Sequence, residues 1–386
     1  MQVANKFKRA AMRRIVLMLL LAVIAAVGRA ACAAHVVDES EIAKAIEQLK
    51  GTVIRDYSLP GTPITWVDLS DSKNFRDVNV SLLLRLKYLK GLHLSSTNIT
   101  DVGLKDLKPI TTLSVLFLGN TGVTDSSLKE VAGISNLTEL SLIGCSITDA
   151  GLKELGRLTK LKSLHLHGTP VGDTGLQNIA ILRKLETLDV GQTHITDASL
   201  KEIGKLERLT VLALDSTHIT EAGIIELRGL RNLSNLSLYE DRVTGPGFAG
   251  IRHLNRLTTL DLTHTELVDA DLKALKELKE LTFLTLQGTN VSDAGLDNLV
   301  GLKNLHQLNL VGTQLTDRGV KQLREFKELQ ELSLSNTAIT DACLKDLSEF
   351  KHLTVLGILN TKITKTGFNQ LKKSFPKAVI VYRLRD

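Results

Sequence analysis

A pattern of apolar and polar positions returns every 24 residues through twelve successive copies, between residues 64 and 382. The apolar positions of one copy are Leu161, Leu164, Leu166, Val171, Leu176, Ile179 and Leu182. The first leucines alternate with His165 and His167, which is typical of a short strand with one buried face, and the later positions suit one face of a short helix. Their spacing of three predicts that some helices are partly 3₁₀. A fixed period over this length indicates a repeat solenoid.

One polar position of the repeat is almost always threonine. The column is Thr97, Thr121, Cys145, Thr169, Thr193, Thr217, Asp241, Thr265, Thr289, Thr313, Thr337 and Thr361. We expect these hydroxyls to form a buried ladder that satisfies backbone groups of adjacent coils, since an unpaired group there would cost about 1–3 kcal/mol. The copy around Asp241 departs most from the pattern, through drift or because it is a binding or bending point.

An aspartate column four residues after the threonine opens each helix. Aspartate is a favoured N-cap because its carboxylate accepts from unpaired backbone N–H groups. In one copy Gly245 takes this column and Pro246 follows it, and proline favours the first helical position. We therefore predict that the column, for example Asp173, is the helix N-cap.

The complete repeat, LxxLxLxxTxITDxGLxxLxxL, resembles the leucine-rich repeat. It is similar to the 24-residue repeats of bacterial exported proteins and of F-box-associated proteins, although the residues before the first strand are too few for an F-box. The resemblance implies an α/β solenoid, a horseshoe with a parallel β-sheet on the concave face and helices on the convex face. It also implies a scaffold that binds a protein or peptide, with no enzymatic activity and no cofactor.

The first 34 residues indicate export. A basic region precedes the apolar run of residues 15–27, and Ala31-Cys32-Ala33 fits a small-x-small cleavage site. We predict a signal peptide at residues 1–33, an N-terminal helix and strand cap at 34–63, and a leucine-rich repeat domain of about 13 repeats at 64–386. The C-terminal cap is expected from about residue 372. The mature chain would be periplasmic, on the cell surface or secreted. Lipid attachment at Cys32 is less favoured because Arg29 stands where lipoprotein signals usually have an aliphatic residue.

The charge of the chain changes once the signal is set aside. Of 48 Lys and Arg residues, six lie in residues 1–33 with no acidic residue, which leaves 42 basic against 42 acidic residues. Nucleic-acid binding relies on a basic surface, so we do not expect it, nor a membrane span in the mature chain. Cys145 and Cys343 are about eight copies, or roughly 38 Å, apart. They are therefore beyond disulfide reach and are expected to be buried small residues.

Function is expected on the concave strand face, where side chains one copy apart stand about 5 Å from each other. The candidate partner-binding residues are His165, His167, Asp189, Asp215, Tyr239, Asp261, His264 and Phe117. Tyr239 would be an aromatic anchor, since tyrosine is enriched at interface hot spots. Phe117 shares neighbouring positions with Val115 and Ile143, which are either scattered surface residues or one edge of an interface.

Other interpretations of the same face stay open. It could be a solvated polar face without a dedicated ligand. His165, His167, Asp189 and Asp215 could form a metal-dependent or hydrolytic site, although no local motif supports a metal and an open face encloses little. The chain could also be a structural envelope protein that self-associates, whereas our preferred interpretation is compatible with a monomer.

Overall fold

The computed structural model describes residues 39–382, which form a single sheet of fifteen strands with helical segments after most of them. The strands lie in the sheet in chain order; β1 and β2 are antiparallel, and every later neighbouring pair is parallel. The strands are β1 (Thr52–Arg55), β2 (Ile64–Asp68), β3 (Gly91–His93), β4 (Val115–Phe117), β5 (Glu139–Ser141), β6 (Ser163–His165), β7 (Thr187–Asp189), β8 (Val211–Ala213), β9 (Asn235–Ser237), β10 (Thr259–Asp261), β11 (Phe283–Thr285), β12 (Gln307–Asn309), β13 (Glu331–Ser333), β14 (Val355–Gly357) and β15 (Val379–Val381). The predicted signal peptide and Cys32 lie outside the described residues.

The helices are short, and some are partly 3₁₀, as the spacing predicts: three 3₁₀ segments adjoin an α-helix, and Asp271–Glu277 replaces one. The α-helices of residues 39–382 are α1 (Ser40–Gln48), α2 (Val80–Leu83), α3 (Asp101–Lys105), α4 (Asp125–Val131), α5 (Asp149–Leu155), α6 (Asp173–Ile179), α7 (Asp197–Ile203), α8 (Glu221–Ile224), α9 (Gly245–Phe248), α10 (Asp293–Leu296), α11 (Asp317–Leu323), α12 (Leu344–Leu347) and α13 (Lys365–Ser374). The 3₁₀ segments are Asp77–Asn79, Ile225–Gly229, Asp271–Glu277 and Asp341–Cys343. This architecture is the α/β solenoid that the repeat predicts.

One continuous apolar core runs through the stack. Leu164 and Leu166 are fully buried, and Leu164 of β6 pairs in register with Leu188 of β7, one period later. Because the period is constant, each apolar position meets its own equivalent in the next coil. Every coil therefore covers the apolar face of its neighbour, which a single coil cannot do for itself.

The threonine column is almost entirely buried, but its hydroxyls, apart from that of Thr217, bond within their own coil. Thr169 Oγ donates to the carbonyl oxygen of Leu166 at 2.6 Å, and the Thr169 N–H donates to the same oxygen at 3.1 Å. The predicted ladder between adjacent coils is therefore wrong for this column. The reason is the tight turn after each strand: in this coil Gly168 has a φ of +68°, and the turn brings Thr169 back over the carbonyl of Leu166, the residue that follows the strand.

The predicted N-cap is wrong by one residue. Helix α7 begins at Asp197, and the preceding Thr196 caps it: its backbone is extended, and its Oγ accepts from the Ala198 N–H at 3.3 Å. Gly245 is likewise the first residue of α9 and is not its cap. The aspartate column thus occupies the first helical position, where a negative charge still favours the helix dipole.

The aspartates bind the next coil instead. Asp173 Oδ1 accepts from the Thr196 N–H at 2.9 Å, and Asp173 Oδ2 accepts from the Thr196 hydroxyl at 2.7 Å. We call this repeated contact the aspartate ladder. It recurs in Asp77–Thr100, Asp101–Thr124, Asp125–Thr148, Asp197–Thr220, Asp269–Ser292, Asp293–Thr316, Asp317–Thr340 and Asp341–Thr364. The ladder fixes the convex side of adjacent coils, and within residues 39–382 it is interrupted where Glu221 and Gly245 take the column.

Each end of the stack carries apolar residues that pack against the terminal coil at that end. At the first end, α1 buries Ile42, Ala43 and Ile46, and β1 adds an antiparallel strand to the sheet. At the other end, the ring of Phe368 in α13 stacks on Tyr382 with centroids 4.4 Å apart. These contacts cover core residues that have no further coil beside them.

Candidate partner-binding face

The outward side chains of the strands form three columns on the concave face. The columns begin at Trp66, Asp68 and Ser70 and continue with one residue of each column in every coil. In the coil of β6 these residues are Ser163, His165 and His167. The helices lie on the opposite side of the coils, so these side chains take no part in the core.

Two histidines and one aspartate of the candidate set lie together. His167 Nδ1 is 3.5 Å from Asp189 Oδ1, and His165 Nδ1 is 3.9 Å from Asp189 Oδ2. Burial disfavours the charged carboxylate, but His165, the Gly191 N–H and the charge of His167 outweigh it, so the pKa of Asp189 is lowered. The His167 ring lies over Gly191, where a Cβ would be 2.6 Å from Nδ1. Glycine at this position therefore lets the imidazole lie flat against the sheet.

Asp215 lies in the neighbouring coil and has a different environment. It accepts from the Ser237 hydroxyl and, at 3.2 Å, from the Tyr239 N–H. Burial raises the pKa of Asp215, and the charges of Asp189 and Asp261 raise it further, against the effect of those two hydrogen bonds. The three carboxylates thus repel one another across the middle of the concave face.

Tyr239 stands beside this group, two residues after the end of β9. Its hydroxyl donates to Glu240 Oε1 at 2.8 Å, and its ring meets His264 edge to face at a centroid distance of 6.0 Å. His264 is exposed and sits in the turn after β10 with a φ of +57°. Asp261 is held by the Thr263 N–H at 2.9 Å. The structure therefore places seven of the eight candidates along the coils of β6 to β10.

The candidate cluster does not provide a ready metal site. Within residues 39–382, no three His, Cys, Asp or Glu side chains are grouped closely enough to hold a metal ion. Asp189 is the only carboxylate paired with the two histidines in that range. The arrangement is better suited to polar contacts with a ligand that lies across several strands.

Phe117, the eighth candidate, belongs to a separate aromatic group near the first coils. Its ring contacts His93 at a centroid distance of 5.1 Å and Trp66 at 6.2 Å. The indole of Trp66 covers Gly91, where a Cβ would be 1.9 Å from the ring. Sequence reasoning missed Trp66 because the first strand is out of phase with the later copies. An outward tryptophan beside a glycine in the next coil is the signal that could have found it.

A groove of about 450 Å³ lies on the concave face near the last coils and was also missed. Its lining includes Phe283, Val311, Val355, Leu359 and Val381. Ser333 and Gly357 also line it, and a Cβ at Gly357 would be only 2.7 Å from the Ser333 hydroxyl oxygen. The signal was the group of apolar residues in the outward columns of the last two coils, Val355, Leu359 and Val381.

Asp241 is the strongest departure from the repeat and lies inside the coil, away from the concave surface. It is 1% exposed, and one of its oxygens accepts from the Thr217 N–H at 2.9 Å and from the Thr217 hydroxyl at 3.1 Å. The other oxygen, Oδ2, has no hydrogen-bond partner among residues 39–382. Burial, with a further contribution from Asp215, raises the pKa of Asp241 to about 7. This buried acid joins two coils where threonine does not.

Cys145 and Cys343 are buried and form no disulfide, as their separation along the stack predicts. Burial raises the pKa of the Cys145 thiol, and burial together with Asp317 raises the pKa of Cys343 to about 12. Both thiols are therefore protonated and inert at neutral pH.

None of the helices between residues 39 and 382 combines the length and the apolar character needed to cross a membrane. The longest of them, α13, has ten residues.

Comparison with known proteins agrees with the fold. A leucine-rich repeat family model matches residues 85–108, 133–156, 157–180, 182–204 and 301–323. Among solved structures, an internalin of Listeria monocytogenes is 21% identical over 83% of this chain and 94% of its own, with a TM-score of 0.61. A leucine-rich repeat protein of Leptospira interrogans is 22% identical over 78% of this chain and 91% of its own, with a TM-score of 0.53. No curated protein gives a significant match. The repeat sequence, the stacked coils and these matches together make the chain a leucine-rich repeat protein.

Proposed function

We propose that the protein is an exported, non-enzymatic scaffold that binds another protein or a peptide through its concave face. One observation carries the proposal: three columns of outward side chains cross the parallel strands without contributing to the core. Coils that served only to stack would need small polar residues there. Instead, the columns carry aromatic, imidazole and carboxylate groups that are half-buried and close to one another.

The candidate residues of the middle coils support recognition by contact rather than by catalysis. Tyr239 offers an aromatic ring, and tyrosine is enriched among the hot-spot residues near the centre of protein interfaces. His165 and His167 both lie beside Asp189 and are partly exposed on the open face. The face is broad and open, which suits an extended partner and gives little of the enclosure that catalysis requires.

Partner capture from the organism's own envelope or surroundings tests this function. The double substitution His167→Ala/Tyr239→Ala should weaken capture by about 10-fold or more, because truncated hot-spot residues typically cost more than about 1 kcal/mol each. The matched control, Lys153→Ala/Lys201→Ala, removes two exposed side chains from the convex helices α5 and α7. Equal loss in both variants, with both still folded, would contradict the proposal.

Export is the second part of the proposal. It rests on the basic, apolar and small-residue segments of residues 1–33. Expression of the full chain followed by N-terminal sequencing of the mature protein tests it. Cleavage near Ala33 and recovery outside the cytoplasm are expected, whereas an intact N-terminus in the cytoplasm would contradict export.

A further inference from the structure

The concave face and the rest of the molecule differ in charge. The three outward columns contain six carboxylates and no lysine or arginine, although the chain has 48 Lys and Arg residues. The carboxylates are Asp68, Glu139, Asp189, Asp215, Asp261 and Glu331. Within residues 39–382 the lysines and arginines therefore lie outside these columns, mostly in the helices and loops.

Within residues 39–382, no lysine or arginine pairs with the three central carboxylates, Asp189, Asp215 and Asp261. Among the ion pairs of residues 39–382, Asp189 meets only His165 and His167, and neither Asp215 nor Asp261 meets any basic side chain. The charges of Asp189 and Asp261 oppose ionisation of Asp215. A cation from outside would relieve this repulsion while it bound.

An apolar groove continues the same face. Phe283, Val311 and Val355 are among its lining residues, and Glu331 lies in the same lining. Its volume of about 450 Å³ exceeds that of one aromatic side chain, so it accepts a bulky residue with space for neighbouring backbone. The groove centres on β13, three strands beyond Asp261 at the end of β10. Three strand spacings are about 14 Å, which equals about four residues of extended chain.

From these observations, and building on the proposed function, we propose that the partner segment is an extended basic polypeptide. Its Lys or Arg side chains lie over Asp189, Asp215 and Asp261, and an apolar side chain about four residues further along occupies the groove. An extended chain presents alternate residues to one side, so basic residues two apart would all face the carboxylates. The charge pattern provides orientation and a fast association rate, and the groove provides the anchor.

Charge argues against other occupants of this face. A second copy of the chain, docked concave face to concave face, would oppose two sets of carboxylates. A nucleic acid would bring its phosphates against the same negative surface. An acidic or neutral partner would gain no favourable charge interaction from the six carboxylates. The experiment therefore includes an acidic peptide.

Fluorescence anisotropy with synthetic probes tests the inference on the purified full chain. The first probe is a labelled peptide of about thirteen residues that alternates Arg and Ser around one central Phe, matched to the spacing above. The second probe replaces each Arg by Glu, and the third replaces Phe by Ser. The test variant is Asp189→Asn/Asp215→Asn/Asp261→Asn. The control variant, Glu277→Gln/Glu280→Gln/Glu328→Gln, removes three exposed charges outside the concave columns.

The Arg–Phe probe should bind the wild type. At low salt, the affinity for this probe should fall by about 30-fold in the test variant and by less than about 3-fold in the control variant. Loss of Phe should weaken it at least about 10-fold. Equal weakening by both variants, or no binding of the Arg–Phe probe, overturns the inference. If the Glu probe binds the wild type and this binding is lost in Val311→Glu, the face accepts an acidic partner. That result would overturn the inference of a basic partner but would leave the proposed function standing. That function fails separately, in the capture experiment.

Discussion

Replacing Asp241 by threonine should stabilise the protein, and the gain should depend on pH. The wild-type carboxyl group is 1% exposed, and its pKa rises from the ordinary value of 3.8 to about 7 on folding. This rise in pKa corresponds to about 4 kcal/mol of lost stability when the carboxyl group is ionised in both the folded and the unfolded state. A threonine hydroxyl at this position would donate to the Leu238 carbonyl, as other threonines of the column do to the carbonyl three residues earlier. Thr217 would lose its present acceptor, the Asp241 carboxylate.

The sign follows from proton binding. Between pH 3.8 and about 7 the folded protein holds a proton on Asp241 that the unfolded chain has released. The free energy of unfolding therefore falls as pH rises through this window and becomes constant above it. Relative to Asp241→Thr, the wild type should lose about 3 kcal/mol between pH 5 and pH 8. Losing the two hydrogen bonds to Thr217 offsets the gain by about 1–2 kcal/mol at every pH.

Urea denaturation at several pH values between 5 and 8 measures this difference. Cys145→Thr is the matched control because Cys145 is the other departure in the same column, and its thiol, whose pKa burial raises, does not titrate in this range. Its effect on stability should be the same at each pH. A pH-independent difference between the wild type and Asp241→Thr would refute the reasoning, because it would show that the buried acid does not gain a proton on folding.

Three further predictions concern the fold. Asp173→Ala should cost about 2–4 kcal/mol in urea denaturation, because it leaves the Thr196 N–H and hydroxyl without their acceptor. The exposed Asp106→Ala should change little, and equal losses would contradict a role for the aspartate ladder. Gly91→Leu should displace the only tryptophan, Trp66, shifting its emission to longer wavelength at a cost of about 1–3 kcal/mol; an unchanged spectrum would argue against the contact. Iodoacetamide at pH 8 should label Cys145 and Cys343 only after unfolding, as read by peptide mapping, and labelling of the native protein would contradict their burial.

The repeat period alone was sufficient to predict the solenoid. Leu164 and Leu166 could be assigned to a strand, and a constant period made their register with the next coil unavoidable. The N-cap was harder because threonine and aspartate are both favoured caps and stand side by side. The partner of Asp173 lies 23 residues later, in the next coil, so its true role becomes visible only when the stacking is known.

The candidate face was predictable in composition and less so in arrangement. The sequence places His165, His167 and Asp189 in neighbouring outward columns, and the structure brings them together. The sequence does not show which outward side chains enclose a cavity, so the groove beside Val311 could not be predicted from it. Asp241 was recognised as a break in the pattern, but its burial depends on contacts with the preceding coil.

Site-specific photo-crosslinking tests the central claim, that the concave columns are the working surface, most directly. A benzophenone side chain at Thr187, in an outward column of β7, is compared with one at Lys201, on α7 of the same coil. In the organism's own envelope or surroundings, we expect Thr187 to form a specific adduct with another protein and Lys201 to form none. Adducts from Lys201 alone would contradict the account. Adducts at Thr187 between copies of the chain would show that the concave face serves self-association and not the binding of another protein.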